Sequence, residues 1–239
     1  MKKIDMGSWN RKELFEFFSK MSHPFYSVTF TVDVTTLYEY VKRKGLSFYY
    51  ALVYLCTEAV NDTEAFLYVL REGEVYRIDR REPSFTDLKP GSEQFYIVTM
   101  PAGNVLEDFC HAAKKKSGGQ MCFIDAEEET DDLIYFSCLP WVELTALTNE
   151  RDFCVDDSVP RIAWGKYRDE NGRKRLQMSM ELNHRFTDGV HVGSFYEALC
   201  ERMEKLGRAD HSGTSGALPM KRQILTHNFP GSMVPVQEP

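Results

Sequence analysis

The sequence predicts an α+β fold in which one large mixed β-sheet carries helices packed on one side. Strand-like and helix-like patterns both occur, but they do not alternate strictly, which disfavours a doubly wound nucleotide-binding sheet. Neither a glycine-rich phosphate loop nor a Gly-x-Ser-x-Gly serine hydrolase motif is present. Apolar residues make up 43% of the 239 residues, enough for a substantial core.

The first half of the chain mixes helices with strands. Residues 26–34 alternate between apolar and polar side chains, which is typical of a half-buried strand. Capping residues and glycines mark the helix ends. The predicted elements are, in order, a helix after the Asn10 and Glu13 capping pair, the strand over 26–34, a helix from Thr36 to Gly45, a helix over 48–60 capped by Ser47, a hairpin of 68–71 and 75–78, a strand over 95–100 and a helix over 105–115.

The second half begins with an acidic loop over 125–132, which we expect to be solvated. Four strands follow, and Asp169-Glu170-Asn171-Gly172 is expected to turn the third into the fourth. The strands are predicted over 133–138, 141–148, 162–167 and 176–182. A last helix is expected to end at Gly207, so that 1–207 form one domain. Residues 208–239 are rich in Gly, Ser and Pro, which predicts a flexible C-terminal tail.

Composition restricts the partners of the protein. The net charge is -7, which disfavours nucleic acid and anionic membranes as main partners. No apolar run approaches the roughly 20 residues that span a bilayer, and no signal peptide is recognisable. Six scattered cysteines without metal-ligand spacing predict reduced thiols in a cytoplasmic protein with no metal site.

The segment from His184 to Gly189 lies where a strand pattern gives way to a helix pattern. His184 leaves the strand, and Asp188 stands at the helix start. An imidazole has an unperturbed pKa of about 6.5, so it can accept a proton near neutral pH. An Asp-Gly pair before a helix is also an ordinary N-cap and turn, so this pattern alone leaves catalysis open.

Five segments together carry a family resemblance. They are Asn183-His184-Arg185-Phe186-Thr187-Asp188-Gly189-Val190-His191-Val192, Trp9-Asn10-Arg11-Lys12-Glu13-Leu14-Phe15-Glu16, Ser47-Phe48-Tyr49, Ser137-Cys138-Leu139-Pro140-Trp141-Val142 and Gly165-Lys166-Tyr167. In order and spacing they resemble the trimeric chloramphenicol acetyltransferase family over roughly residues 1–206. The first segment matches the family pattern His-His-x-x-x-Asp-Gly-x-His-Val.

The resemblance implies a CoA-dependent acyltransferase fold and an antibiotic-resistance reaction. An acetyl group would pass from acetyl-CoA, the co-substrate, to a hydroxyl of chloramphenicol or a similar small alcohol in a ternary complex, without an acyl-enzyme. By matching position, His184 would be the general base and Ser137 the oxyanion donor. Arg11 and Asp188 would form a buried ion pair that holds the turn containing His184.

The same resemblance implies binding sites and an assembly. Trp141, Tyr49 and Tyr167 match positions that pack CoA, and Phe18 matches a position in the acceptor pocket. The family forms homotrimers in which His184 would face a pocket completed by a neighbouring subunit.

The chain departs from the family pattern at several positions. Asn183 replaces the first histidine of the motif, which is not the base. Phe18 stands where the chloramphenicol-binding enzymes often have Tyr, and Ala163 where they have Thr. Because these changes lie on the acceptor side, acyl transfer to a different acceptor stays an alternative, as does a non-catalytic trimeric binding protein of the same fold.

A related pattern occurs in the dihydrolipoyl acyltransferase cores of 2-oxo acid dehydrogenases. Their His-Arg-x-x-Asp-Gly motif also fits residues 184–189. The absence of a lipoyl domain and of a long Ala/Pro linker argues against this alternative.

Overall fold

The computed structural model describes residues 1–89, 91–152 and 155–209. Its strands are β1 (Lys2–Lys3), β2 (Phe25–Asp33), β3 (Tyr68–Arg71), β4 (Glu74–Arg77), β5 (Glu82–Leu88), β6 (Phe95–Thr99), β7 (Leu133–Leu139), β8 (Arg161–Gly165), β9 (Arg168–Glu170) and β10 (Arg173–Asn183). Its α-helices are α1 (Lys12–Phe18), α2 (Thr35–Lys44), α3 (Phe48–Asn61), α4 (Leu106–Gly119) and α5 (Gly189–Ala209). Short 3₁₀-helices cover Glu64–Leu67 and Ala126–Glu128.

The large sheet is mixed, as predicted. Its strand order is β2-β10-β8-β7-β5-β6, and β9 pairs with β10. β7 runs parallel to both β5 and β8, whereas the other pairs are antiparallel. A smaller sheet of β1, β4 and β3 is separate from it. None of the helices in the described part of the chain is long and apolar enough to cross a membrane.

The two faces of the large sheet have opposite chemistry. Strand register aligns one apolar row, which joins the main core beneath the helices: Phe85, Phe136, Ile162 and Met180. The neighbouring residues point to the other face, because side chains alternate along a strand. Register aligns these in a polar row: Ser84, Tyr135, Arg161 and Glu181. Helices α2, α3 and α4 each contact strands of the sheet, so the helices cover one face and leave the other for a site.

Several local predictions are confirmed. The Ser47 hydroxyl accepts a hydrogen bond from the Tyr50 N–H at the start of α3. Gly45 ends α2 with a φ of 67°. Between β9 and β10, Asn171 and Gly172 have φ values of 53° and 78°, the backbone of a tight type I′ turn.

The strand predicted over 141–148 is wrong. This segment is irregular, and the consecutive residues Trp141 and Val142 are both exposed. The segment leaves the sheet after β7 and lies across Gly165, where the Val142 carbonyl accepts a hydrogen bond from the Lys166 N–H at 2.7 Å. The alternating pattern therefore reflects a loop that buries Leu144, not a strand. Conversely, strand β5 was not predicted at all.

The prediction that the last helix ends at Gly207 is also wrong. Helix α5 runs through Gly207 to Ala209, and the Gly207 position packs near the Thr36 side chain of α2. The sequence pattern predicts a helix end at Gly207, but this glycine lies inside α5. The remainder of the predicted tail, residues 210–239, lies outside the described residues.

The acidic loop over 125–132 is less solvated than expected. The Asp131 carboxylate pairs with Arg71 at 2.6 Å, and Glu128 pairs with Lys116. The Asp131 carbonyl also accepts a hydrogen bond from Arg81, whose fully buried guanidinium reaches the Tyr68 carbonyl as well. Arg81 thus ties the small sheet to the loop before β7.

Candidate active site

The His184 turn joins the end of β10 to the start of α5. The His184 N–H donates to the Pro24 carbonyl at 2.7 Å, which fixes the turn to the residue before β2. The Thr187 hydroxyl and N–H both lie 3.1 Å from the Asn183 carbonyl. These bonds satisfy the backbone of a turn that belongs neither to the strand nor to the helix.

One hydrogen bond determines which nitrogen of His184 can act as a base. Its Nδ1 lies 2.9 Å from the Thr187 carbonyl oxygen. A carbonyl only accepts, so Nδ1 must carry the proton, and in the neutral ring Nε2 then has the free lone pair. Among the described residues, Nε2 has no hydrogen-bond partner. His184 is half-buried, so part of the residue stays accessible.

Two aromatic rings, one from α1 and one from β2, pack against the His184 imidazole. Phe18, at the end of α1, stacks on the imidazole with ring centroids 4.0 Å apart and planes inclined by 15°. Tyr26, in β2, lies 4.5 Å away at 44°. Phe18, predicted as an acceptor-binding residue, therefore contacts the predicted base directly.

Arg11 links the N-terminal segment to the same turn. Its Nη1 is 2.7 Å from Asp188 Oδ2, and Nε and Nη2 donate to the carbonyls of Arg185 and His184 at 2.9 and 3.0 Å. The arginine side chain is 9% exposed and the aspartate 29%. Burial opposes the charge of Asp188, but the Arg11 guanidinium holds the pKa of this carboxyl below its ordinary value.

Asn183 occupies the position of the first motif histidine, and both ends of its side-chain amide form hydrogen bonds within the protein. Its amide nitrogen donates to the Asp157 carbonyl at 2.9 Å, and its amide oxygen accepts from the Arg185 N–H at 3.0 Å. Arg185 also forms a two-pronged ion pair with Asp156. Asn183 thus anchors the turn, although the family motif has a histidine at this position.

Ser137 lies in a pocket of about 770 Å³ on the polar face of the sheet. β7 presents Ser137 and Tyr135 to the same side, since they are two residues apart. Ser137 is partly exposed, and its hydroxyl has no hydrogen-bond partner within the described residues. It is therefore free to donate to a bound molecule.

His184 and Ser137 are not brought together within one chain. Register pairs Ser137 with Ala163 and Ala163 with Ser179, and His184 follows Ser179 by five residues. Two strand spacings of about 4.8 Å and five residues at about 3.3 Å each separate the two Cα atoms by roughly 19 Å. His184 does not line the pocket that contains Ser137. A site using both side chains needs a second copy of the protein.

The three residues predicted to bind CoA lie in different surroundings. Trp141 is 70% exposed. Tyr167 is half-buried and packs on Tyr38. The Lys174 ammonium lies 5.0 Å from the Tyr38 ring and 5.8 Å from the Tyr167 ring, and it also pairs with Asp169. The accessible aromatic surfaces suit a heteroaromatic base.

Tyr49 is placed differently. Its ring packs on Phe85 and Trp164, and its hydroxyl donates to the Thr86 carbonyl at 2.6 Å. Within the described residues, Tyr49 thus contacts the core. No group of His, Cys, Asp or Glu in the described ranges could hold a metal ion.

Two features of the site were missed by sequence reasoning. The Thr187 carbonyl sets the His184 tautomer, but a backbone atom leaves no residue-type signal. Glu129, from the acidic loop, lines the Ser137 pocket together with Tyr135. Glu129 is one of eight mostly acidic residues, and nothing in the sequence distinguishes it from its neighbours.

The chain is similar to known proteins over most of its length. The sequence model of the family described as Chloramphenicol acetyltransferase matches residues 1–200. A chloramphenicol acetyltransferase of Staphylococcus aureus is 26% identical over 207 residues, covering 85% of this chain and 95% of that protein. One from Clostridium perfringens is 28% identical over 207 residues, covering 83% and 92%.

Solved structures give the same result at the level of the fold. A chloramphenicol acetyltransferase structure superposes with a TM-score of 0.78 at 25% identity, covering 85% of this chain and all of that one. A probable dihydrolipoamide acetyltransferase from Listeria monocytogenes superposes with a TM-score of 0.57 at 12% identity, which indicates a shared fold only. The predicted fold class is thereby confirmed.

Proposed function

The chain belongs to the chloramphenicol acetyltransferase family, and from this premise we propose that it moves an acetyl group from acetyl-CoA to a hydroxyl of chloramphenicol or a similar small alcohol. Membership makes it an acyltransferase. The observation that carries the proposal is the Nδ1 hydrogen bond of His184 to the Thr187 carbonyl, since it leaves Nε2 as a base.

His184 acts as the general base and then as the general acid. Acetyl-CoA supplies the acetyl group as a thioester. His184 Nε2 takes the hydroxyl proton as the acceptor oxygen bonds to the thioester carbonyl carbon. It returns that proton to the sulfur as the carbon–sulfur bond breaks, so the products are an ester and a thiol. A positioned base of this kind contributes about 10²–10⁴-fold to the rate.

Ser137 stabilises the charge that develops on the carbonyl oxygen. Its hydroxyl is free to donate within the described residues, and a donor fixed on a sheet strand costs little reorganisation. One such donor is worth roughly 10²–10³-fold in rate. The exposed Trp141 and the half-buried Tyr167 hold the CoA portion against their aromatic faces.

The working enzyme is a homotrimer in which His184 of one copy faces the Ser137 pocket of the next. Support comes from the separation of roughly 19 Å between the two residues in one chain. Further support comes from the apolar side chains that α1 leaves exposed beside His184, Leu14 and Phe17. Large exposed apolar surfaces near a site are typical of subunit contacts.

The proposal is tested by thiol release from acetyl-CoA with chloramphenicol as acceptor. We expect turnover by the native protein and a loss of at least about a hundredfold in His184→Ala, because the base is removed. His111→Ala is the matched control, since His111 is exposed on α4. Native protein without turnover on any hydroxylated acceptor, or equal losses in both variants, would contradict the proposal.

A further inference from the structure

Glu129 places a negative charge in the wall of the Ser137 pocket. Its Oε2 accepts a hydrogen bond from the Tyr135 hydroxyl at 2.9 Å, and Oε1 lies 3.4 Å from Thr99 Oγ1. Burial and the Glu129 carboxylate raise the pKa of Tyr135, so this hydroxyl keeps its proton and donates. Within the described residues, Glu129 forms no salt bridge.

The two guanidinium groups near this pocket are already paired, and the lining holds two further carboxylates, Glu150 and Asp152. Arg151 pairs with both Asp157 and Glu181, and Arg161 lies 3.8 Å from Asp157. Two guanidinium groups thus face two carboxylates. Lys116, the ammonium nearest to the acidic loop, pairs with Glu128 and donates to a carbonyl. The Glu129 charge is therefore left without a compensating cation from these groups.

The walls beside Glu129 are aromatic and apolar. Phe95 and Phe123 line the pocket and meet edge to face, with centroids 5.5 Å apart and both side chains exposed. Ile97 lies in the same wall. Aromatic faces attract cations as well as apolar groups. A carboxylate beside such rings favours a ligand with an apolar body and a positive charge.

We propose that Glu129 makes this pocket selective for acceptor alcohols that also carry a cationic nitrogen. The inference rests on the proposed function, because it takes the Ser137 pocket as the acceptor site. An uncharged acceptor leaves the Glu129 carboxylate with hydroxyl donors alone, whereas a cation forms a charge-assisted contact in a partly desolvated pocket. Glu129 is thus a specificity residue and takes no part in proton transfer.

The test compares two acceptors that share one aryl propanediol. The neutral probe is chloramphenicol, and the cationic probe carries a trimethylammonium group in place of the acylamide, so its nitrogen cannot be acetylated. We expect kcat/KM of the native protein to favour the cationic probe by about tenfold or more, and this ratio to fall about tenfold in Glu129→Gln. Glutamine keeps the hydrogen bond from Tyr135 and removes the charge.

Glu127→Gln is the matched control, because Glu127 lies in the same loop, is exposed and does not line the pocket. Its ratio should equal that of the native protein. Equilibrium binding of both probes to each protein is measured in parallel, so that selectivity is read even without turnover. A ratio that Glu129→Gln leaves unchanged overturns this inference while leaving acetyl transfer intact. So does a Glu129→Gln effect confined to subunit assembly. Absence of turnover, together with a binding preference for the cationic probe that Glu129→Gln abolishes, contradicts the proposed function alone.

Discussion

At the scale of single residues, the Arg11–Asp188 pair decides how firmly the His184 turn is held. Arg11 binds one carboxylate oxygen and two backbone carbonyls of the turn, so a single side chain fixes three points. The pair is mostly buried, and removing one partner of such a pair leaves a charge without compensation. The turn that orients His184 therefore depends on a residue more than 170 positions earlier in the chain.

Asp188→Asn should lower the free energy of unfolding by about 3 kcal/mol at neutral pH and slow turnover by about tenfold. The pKa of Asp188 is held below its ordinary value, so its contribution is complete above about pH 4 and is lost as the pH falls through the lowered pKa. Denaturant unfolding of both proteins at pH 7 and at successively lower pH values below about 4 measures this convergence. Glu16→Gln, which breaks an exposed pair with Lys12, should change little. A stability difference that persists in acid would show that the charge is not responsible.

Residue identities predicted one contact around the His184 turn, but not the bonds and rings that orient the imidazole. The contact between Arg11 and Asp188 was expected from the resemblance and is present at 2.7 Å. The roles of His184 and Ser137 stay predictions. The Thr187 carbonyl and the Tyr26 ring could not be inferred, because backbone direction and ring orientation follow from the packing of β2 against β10.

At the scale of elements, the irregular segment after β7 depends on one glycine of β8. A Cβ at Gly165 would lie 2.5 Å from the Leu144 nitrogen and 2.7 Å from the Val142 oxygen. Both neighbours are backbone atoms, which cannot rotate away. The strand and the segment that exposes Trp141 can approach only because this position lacks a side chain.

Gly165→Ala should destabilise the protein by about 2 kcal/mol or more, and should weaken CoA binding because the Trp141 segment must shift. Thermal unfolding and a CoA titration measure the two effects. Gly118→Ala is the matched control: this glycine lies in α4 with nothing within 4 Å of the added carbon, so the change should stabilise the helix by up to about 1 kcal/mol. Equal behaviour of the two variants would show that the close approach is unimportant.

Several elements with local signals were predicted correctly, although the Gly207 helix end is wrong and no side-chain hydrogen bond caps the start of α1. The Ser47 cap, Gly45 and the Asn171-Gly172 turn act within a few residues, so their chemistry is visible in the sequence. Strand β5 and the 141–148 segment were misjudged because their structure depends on distant partners. β5 contains Pro83, which reads as a breaker, yet it lies between β6 and β7. The 141–148 alternation looked like a strand, although no sheet edge accepts it.

At the scale of the whole molecule, the proposed division of His184 and Ser137 between copies has a quantitative consequence. Co-expressing His184→Ala with Ser137→Ala should restore activity, although each variant alone is nearly inactive. Each mixed trimer has one junction where an intact His184 meets an intact Ser137, so random assembly gives about one quarter of native activity. The thiol-release assay on the whole co-expressed population, without separation of the trimers, measures it.

The control for this experiment mixes the two variants after separate assembly, without exchange of subunits. These mixtures should stay inactive. Restored activity in co-expressed protein that sediments as a monomer, or none in true mixed trimers, would contradict a site shared between copies. The sequence could indicate this assembly only through resemblance, because the distance between two strands of one sheet is a property of the fold.

A main-chain oxygen determines which nitrogen of the His184 ring carries the proton. This limits the sequence changes that the segment can accept. Replacing the Thr187 side chain leaves that oxygen present, so exchanges of residue type at this position preserve the orientation of the imidazole as long as the turn keeps its path. Adding or deleting one residue between Asn183 and Gly189 moves the oxygen away from Nδ1. The number of residues in this segment is therefore more tightly constrained than the residue type at position 187. We expect related sequences to differ there by substitution and not by insertion or deletion.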